Sequence, residues 1–275
     1  MKITAAEVNN LRKITGAGMM DCKKALVEAE GDTEKAIEIL RKKGQKVAAK
    51  RGDNQASEGL SIAMTNGEGT NGVIVKVNCE TDFVAKNSDF YSFVEGIAKV
   101  ALENNAQSAD HAKGLIMNGL SVEESITDQI GKIGEKIELS AVNSIDADTV
   151  VAYNHPGNQV ASLVGLNKAG NEVSEAGRDI AMQVAAMNPV ALNRDGVPQE
   201  VIDKEIEIGK DLAIKEGKPE ELAGKIAQGR LNKFFKENTL LEQEFIKDNK
   251  QSVSKYLDSI SKGLSVTEYI RMSLS

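Results

Sequence analysis

The sequence predicts an α+β protein of more than one compact unit, on three observations. The first fifty or so residues read as short, capped helices. Twice after them a β-hairpin signal is followed by a helix with one apolar face. Further on, two long helical patterns are joined by the breaker Gly217-Lys218-Pro219. At 275 residues the chain is long enough for two or three cores rather than one. We expect a three-helix bundle with a basic linker over residues 1–53, a first α+β subdomain over 54–141, and a second over 142–275 carrying an inserted antiparallel helical hairpin at about 192–238.

The bundle opens on Thr4-Ala5-Ala6-Glu7, a capping-box pattern flanked by Ile3 and Val8 at hydrophobic-staple spacing. Val8, Leu11 and Ile14 are expected inward, with Gly16 ending the helix. A second helix over about 19–30 should bury Cys22, Ala25, Leu26 and Ala29 and stop at Gly31. A third, capped by Asp32, should bury Ala36, Ile37 and Leu40. Met19 and Met20 follow the tight turn Thr15-Gly16-Ala17-Gly18. Adjacent helical residues do not share a face, so at least one is expected at the surface, where methionine makes adaptable contacts; the other reading is two partly buried gap-fillers. The stretch 41–51 contains Arg41, Lys42, Lys43, Lys46, Lys50 and Arg51 without one acid. It reads as a solvated helix end or linker, with contact to an acidic partner as the alternative.

Residues 60–65 and 72–78 form a hairpin around Asn66-Gly67-Glu68-Gly69. Beyond it Phe90, Phe93, Val94, Ile97, Val100 and Ala101 recur at helical spacing, so the 82–104 region should supply a helix covering the strands. Thr81-Asp82-Phe83 lies between strand and helix. A short polar side chain there can cap free N–H groups, and a carboxylate near a helix start is favoured. Phe83 precedes the apolar stripe and has two readings on physics alone. It is either a core residue packing helix onto sheet or, with Asp82, a projecting wedge that enters another molecule.

A helix over about 109–117 follows, then one opened by the capping box Ser121-Val122-Glu123-Glu124, then a strand over 137–145. Residues 149–154 and 159–166 make a second hairpin around His155-Pro156-Gly157-Asn158. The helix after it, about 172–187, has Ile180, Ala181, Val184 and Ala185 on one face, repeating the plan of the first half. Pro198 suits a first helical turn. Val201, Ile202, Ile206 and Leu212 mark one long helix and Leu222, Ile226, Leu231 and Phe234 its partner, a hairpin expected to project from the body. A helix over 251–257 and a strand over 265–272 close the chain.

Composition narrows the function. A net charge of −7 argues against nucleic acid as the main partner. No apolar run approaches a membrane span, and Met-Lys-Ile-Thr lacks the apolar core of a signal peptide, so a cytoplasmic location is expected, without membrane contact. With only Cys22 and Cys79, no disulfide framework is expected. There is no phosphate loop, no Cys-x-x-Cys and no His-rich site, since His111 and His155 stand alone; neither cofactor nor metal is expected. Cys79 with His155 is the one conceivable nucleophile–base pair, and its surroundings carry no hydrolase signature. Both cysteines read better as small buried hydrophobes. His155, at a Pro-Gly turn, reads as exposed and open to a partner contact. This is the profile of a protein that acts by binding rather than as an enzyme.

Two stretches carry a resemblance. Thr15-Gly16-Ala17-Gly18-Met19-Met20-Asp21-Cys22-Lys23-Lys24-Ala25-Leu26 and Thr81-Asp82-Phe83-Val84-Ala85-Lys86-Asn87 resemble the two signatures of the translation elongation factor Ts family. The likeness extends over essentially the whole chain, including Tyr153-Asn154-His155 and the helical hairpin before Gly229-Arg230. It implies an N-terminal ubiquitin-associated-type bundle, two α+β subdomains and a projecting coiled-coil hairpin. It implies elongation factor Tu as partner, GDP-bound and nucleotide-free, with release of GDP so that GTP can load. Carried over by residue, Asp82 and Phe83, completed by Thr81 and Val84, resemble the stretch that enters the partner's G domain and dislodges Mg²⁺. Arg12, Met19 and Met20 resemble the family's N-terminal contact surface. On this resemblance Phe83 belongs at an interface. Pairing of two copies through the hairpin stays open, as does an adaptor or scaffold without exchange activity.

Overall fold

The computed structural model describes residues 3–274. It is an α+β protein of helices and small antiparallel sheets. Helices α1 (Ala5–Thr15), α2 (Met19–Glu28) and α3 (Thr33–Arg51) pack around Val8, Leu11, Cys22, Ala25, Leu26 and Ala36. The N-terminal capping box is formed: Thr4 Oγ1 accepts from Glu7 N at 3.3 Å while Glu7 Oε2 accepts from Thr4 N at 2.7 Å. Gly16 ends α1 with φ 66°, a left-handed conformation that favours glycine. Ile14 is a correction, because it is 56% exposed rather than inward. Beyond the Gly16 turn, Ala17 comes back into the bundle, and Ile14 is left on the rim of a cleft of about 480 Å³ shared with Phe93, Met117 and Leu120.

The basic stretch is no loop. α3 runs straight through it, and Val47 and Ala48 reach the core under the first sheet. Lys42 pairs with Glu38, Lys43 with Asp21, and Arg51 with Glu80 at 2.8 Å, so part of the charge is answered within the chain.

The first sheet holds β1 (Glu58–Thr65) and β2 (Asn71–Cys79). It is followed by the short α4 (Asp82–Ala85), α5 (Ser88–Glu103), α6 (Ala109–Lys113), a small hairpin of β3 (Ile116–Met117) and β4 (Leu120–Ser121), α7 (Val122–Ile133) and β5 (Ile137–Asp146). The strands lie in the order β1-β2-β5, all antiparallel, with Cys79 opposite Ile137. The helix expected over 109–117 stops at Lys113, and Met117 belongs to β3. The 82–104 region is also two helices rather than one, broken at Lys86 and Asn87.

The second sheet holds β6 (Thr149–Asn154) and β7 (Val160–Leu166), then α8 (Asn171–Met187). The helical hairpin follows as α9 (Gln199–Lys215) and α10 (Glu220–Asn238). β8 (Glu244–Phe245), β9 (Asp248–Ser252), α11 (Val253–Ile260) and β10 (Val266–Ser273) complete the chain. Its order is β10-β7-β6, so in each sheet the second strand of a hairpin is central.

Alternation along the strands builds three apolar layers. Leu60, Ile62, Val73, Val75 and Val77 face α5 and α7. Ala63, Ile74, Ile145, Val150, Ala161 and Leu163 fill the space between the two sheets. Val164 and Leu166 meet Val173, Ile180 and Val184 of α8. Asn154 fastens the sheets together, its side chain accepting from Ala63 N at 2.8 Å and donating to Ala63 O at 2.9 Å.

In the helical hairpin Leu231 is buried with Phe235, and Val201, Ile202, Ile206 and Phe234 pack on them as expected, but the seam differs at Leu212 and Leu222. Leu212 and Leu222 are 39% and 48% exposed, and the buried contacts are Gly209, Ala213, Ala223 and Ala227. Small residues let the two backbones approach, which turns the leucines outward.

Candidate functional site

β2 delivers its last residue, Cys79, into the core, and the chain leaves the sheet at Glu80. Thr81 stays extended, with φ −124° and ψ 153°, and caps α4. Its hydroxyl accepts from Val84 N at 3.4 Å, and its carbonyl accepts from Ala85 N at 3.2 Å. Val84 and Ala85 lean on the first core. Phe83, one residue earlier, points the other way and is 83% exposed. Of its two readings, the core placement is therefore wrong. A four-residue helix has no room for an apolar stripe, and the side that meets the core is taken by Val84 and Ala85.

Asp82 stands in the first turn of α4 and accepts from Lys86 Nζ at 2.6 Å. That hydrogen bond and the Lys86 charge hold its carboxyl below the usual aspartate range and push the Lys86 ammonium above its own. A fixed negative charge and an exposed benzyl ring thus sit side by side on one short turn.

The anchors of that turn lie elsewhere in sequence. Glu135 receives both Thr81 N, at 3.0 Å on Oε2, and the Thr81 hydroxyl, at 2.8 Å on Oε1. Glu80 accepts from Lys136 N at 2.6 Å, from Asn54 Nδ2 at 3.0 Å and from Arg51 Nη1 at 2.8 Å. Lys136 N–H, then Asn54 and Arg51, hold the Glu80 carboxyl below its ordinary range. Glu80, Glu135, Asn54 and Lys136 carried no local signal that singled them out, and Arg51 stood out only as one charge of the basic stretch. What joins them is the pairing of β2 with β5, which sets residue 79 against residue 137.

Met19 and Met20 begin α2 and are both at the surface, 53% and 61% exposed. Arg12 is exposed on α1. His155 is exposed at the tip of the second hairpin, where its Nδ1 lies 3.1 Å from the Tyr153 hydroxyl. Cys79 and His155 are not brought together. The Cys79 thiol is sealed in the first core, donates to Thr81 O at 3.2 Å, and burial together with the nearby Glu135 pushes it up to about 12. Such a thiol is no nucleophile at neutral pH. Among the described residues no group of three or more His, Cys, Asp or Glu could hold a metal ion. No helix among them is long and apolar enough to cross a membrane.

The family profile described as Elongation factor TS matches residues 80–275, starting at the first braced residue of the turn. The chain belongs to the elongation factor Ts family. Proteins named Elongation factor Ts from Christiangramia forsetii, Amoebophilus asiaticus and Cytophaga hutchinsonii are 56%, 51% and 50% identical to it, each over 99% of this chain and 99% of its own length. These full-length alignments to elongation factor Ts proteins also take in α1 to α3, which precede the profile match. Membership in the elongation factor Ts family supports a nucleotide-exchange role in translation elongation.

Proposed function

We propose that this chain binds elongation factor Tu, in its GDP-bound and nucleotide-free forms, and speeds GDP release so that GTP can load. Asp82 and Phe83, flanked by Thr81 and Val84, enter the partner's G domain beside its Mg²⁺, and Arg12, Met19 and Met20 make a second contact from the N-terminal helices. His155 adds a third from the far hairpin. In this reading α1 to α3 form a ubiquitin-associated-type bundle, the two sheets with their helices are related subdomains, and the chain divides near residues 53 and 141. The chain works in the cytoplasm.

The observation that carries the proposal is the presentation of Phe83, 83% exposed on a turn whose flanks are tied down. Aromatic rings usually go inside, so one held outward on an anchored turn fits an insertion into another surface.

The physics needs no covalent step. In a phosphate-loop protein, backbone N–H groups, a Lys and Mg²⁺ hold the nucleotide. A factor that binds the empty conformation better than the occupied one must, by linkage, weaken nucleotide binding by the same ratio. A thousandfold effect needs about 4 kcal/mol, at about 1.4 kcal/mol per tenfold. One buried aromatic contributes about 2–3 kcal/mol by area, so Phe83 is insufficient alone and the methionines must share the coupling.

Release of a fluorescent GDP analogue from elongation factor Tu, followed by stopped flow, tests the proposal. The chain should accelerate release, and Phe83→Ala should slow it about 30-fold or more by the same area argument while staying folded. Wild-type rates from a folded Phe83→Ala protein refute the wedge, and no acceleration by the unaltered chain leaves an adaptor role instead.

A further inference from the structure

We infer that Glu135 is a positioning residue for Asp82 and Phe83, acting through Thr81. The inference rests on the exchange function proposed above and adds to it a residue in neither signature stretch.

The geometry is a reciprocal brace. Beyond the Cys79–Ile137 pair the backbones of β2 and β5 separate, and two carboxylates take over where the ladder stops. Glu80 reaches across to accept from Lys136 N at 2.6 Å, and Glu135 reaches back to accept from Thr81 N at 3.0 Å. Glu135 also accepts a hydrogen bond from the Thr81 hydroxyl at 2.8 Å. That second contact fixes the hydroxyl rotor, leaving its lone pairs for Val84 N, whose hydrogen bond is long at 3.4 Å. A single turn of helix is not stable by itself. α4 is such a turn; Phe83 is exposed, and the half-exposed Asp82 side chain is held by Lys86, just past the end of the turn. Its direction is therefore set by the anchor at Thr81 and by Val84 and Ala85 against the core. Hydrogen bonds to a carboxylate are about twice as strong as neutral ones, so Glu135 supplies the firmer hold. Without it the turn must be ordered during insertion, which taxes the step where the ring enters and not the initial docking.

The test is a double-mutant cycle on GDP release with the full chain and elongation factor Tu. Glu135→Ala should lower the rate at saturating factor about tenfold, the scale of one charge-assisted contact, and leave the half-saturating concentration within about twofold. Glu135→Gln, which keeps an acceptor for Thr81 N, should fall between. In a Phe83→Ala background, Glu135→Ala should cost clearly less than in the wild-type chain, because only Asp82 is left to position. A saturating rate equal to wild type overturns the inference, as does an equal loss in both backgrounds, which marks general damage. Should Glu135→Ala fail to fold, Glu135→Gln in both backgrounds carries the same comparison. A slow Phe83→Ala with a fast Glu135→Ala defeats this inference alone; a fast Phe83→Ala defeats the wedge and this inference with it, and no acceleration by the unaltered chain defeats the proposed function itself.

Discussion

Gly131 of α7 lies so close to Gly44 of α3 that a Cβ built on it would fall 2.8 Å from the Gly44 Cα. The two helices cross backbone against backbone, and this crossing seats the N-terminal helices on the rest of the chain. A Cβ on Gly44 would be less crowded, 3.2 Å from Thr127 O. In an exposed helix, Gly→Ala gains about 0.5–1 kcal/mol, so the sign of the change is diagnostic. We expect Gly131→Ala to destabilise by about 1–3 kcal/mol through overpacking, and Gly44→Ala by less. Thermal unfolding of both variants checks the order; a raised Tm for Gly131→Ala would show that the helices do not meet there.

Alkaline pH should weaken the fold in a defined window. The Cys79 thiol is pushed from 9.0 up to about 12, by burial first and the Glu135 charge second. Tyr256 is pushed from 10.0 to about 12, by burial and then by its hydrogen bond to Asp179. Both folded values are raised, so the unfolded chain gives up its protons first and stability falls as pH rises. The contribution is complete below pH 9 and is lost between about 9 and 12. Tm measured from pH 8 upward should decline across that window, and Cys79→Ala should make the decline shallower. The native Cys79 thiol should also resist alkylation at pH 8, and exchange activity should survive the treatment.

Much of this architecture was legible from local chemistry. Thr4, Asp32 and Ser121 cap helices as their patterns required, with partners three residues on. The Asn-Gly signal placed the first hairpin. Errors arose where tertiary contact overrides periodicity. At the α9–α10 seam the pattern favours Leu212 and Leu222. The backbones nevertheless come so close that a Cβ on Gly209 would sit 3.0 Å from the Ala227 Cα, and only small residues fit. Ile14 has helical spacing with Leu11 yet falls outside the bundle because α1 ends at Thr15, one residue later. Phe83 could not be placed by residue physics, since Glu135, which holds Thr81 at the start of its turn, lies 54 residues beyond Thr81. The family resemblance, and not the periodicity, put it outside.

The proposed coupling requires a second contact, and the exposed methionines are where it should appear. Met20 is 61% exposed, so truncating it removes little from the fold; we expect Met20→Ala to stay within about 0.5 kcal/mol of wild-type stability. Leu26, fully buried in the same helix, provides the contrast, and Leu26→Ala should cost about 2–5 kcal/mol. If Met20 is buried by elongation factor Tu, its loss should raise the half-saturating concentration about tenfold, which is about 1.4 kcal/mol of contact. Phe83 sits on a different element, so the two effects on release should add within about 0.5 kcal/mol. Titrating elongation factor Tu with Met20→Ala, Phe83→Ala and the double variant measures all of this. A Met20→Ala protein with unchanged half-saturation would confine the coupling to the Asp82-Phe83 turn, which by area is too small to supply it.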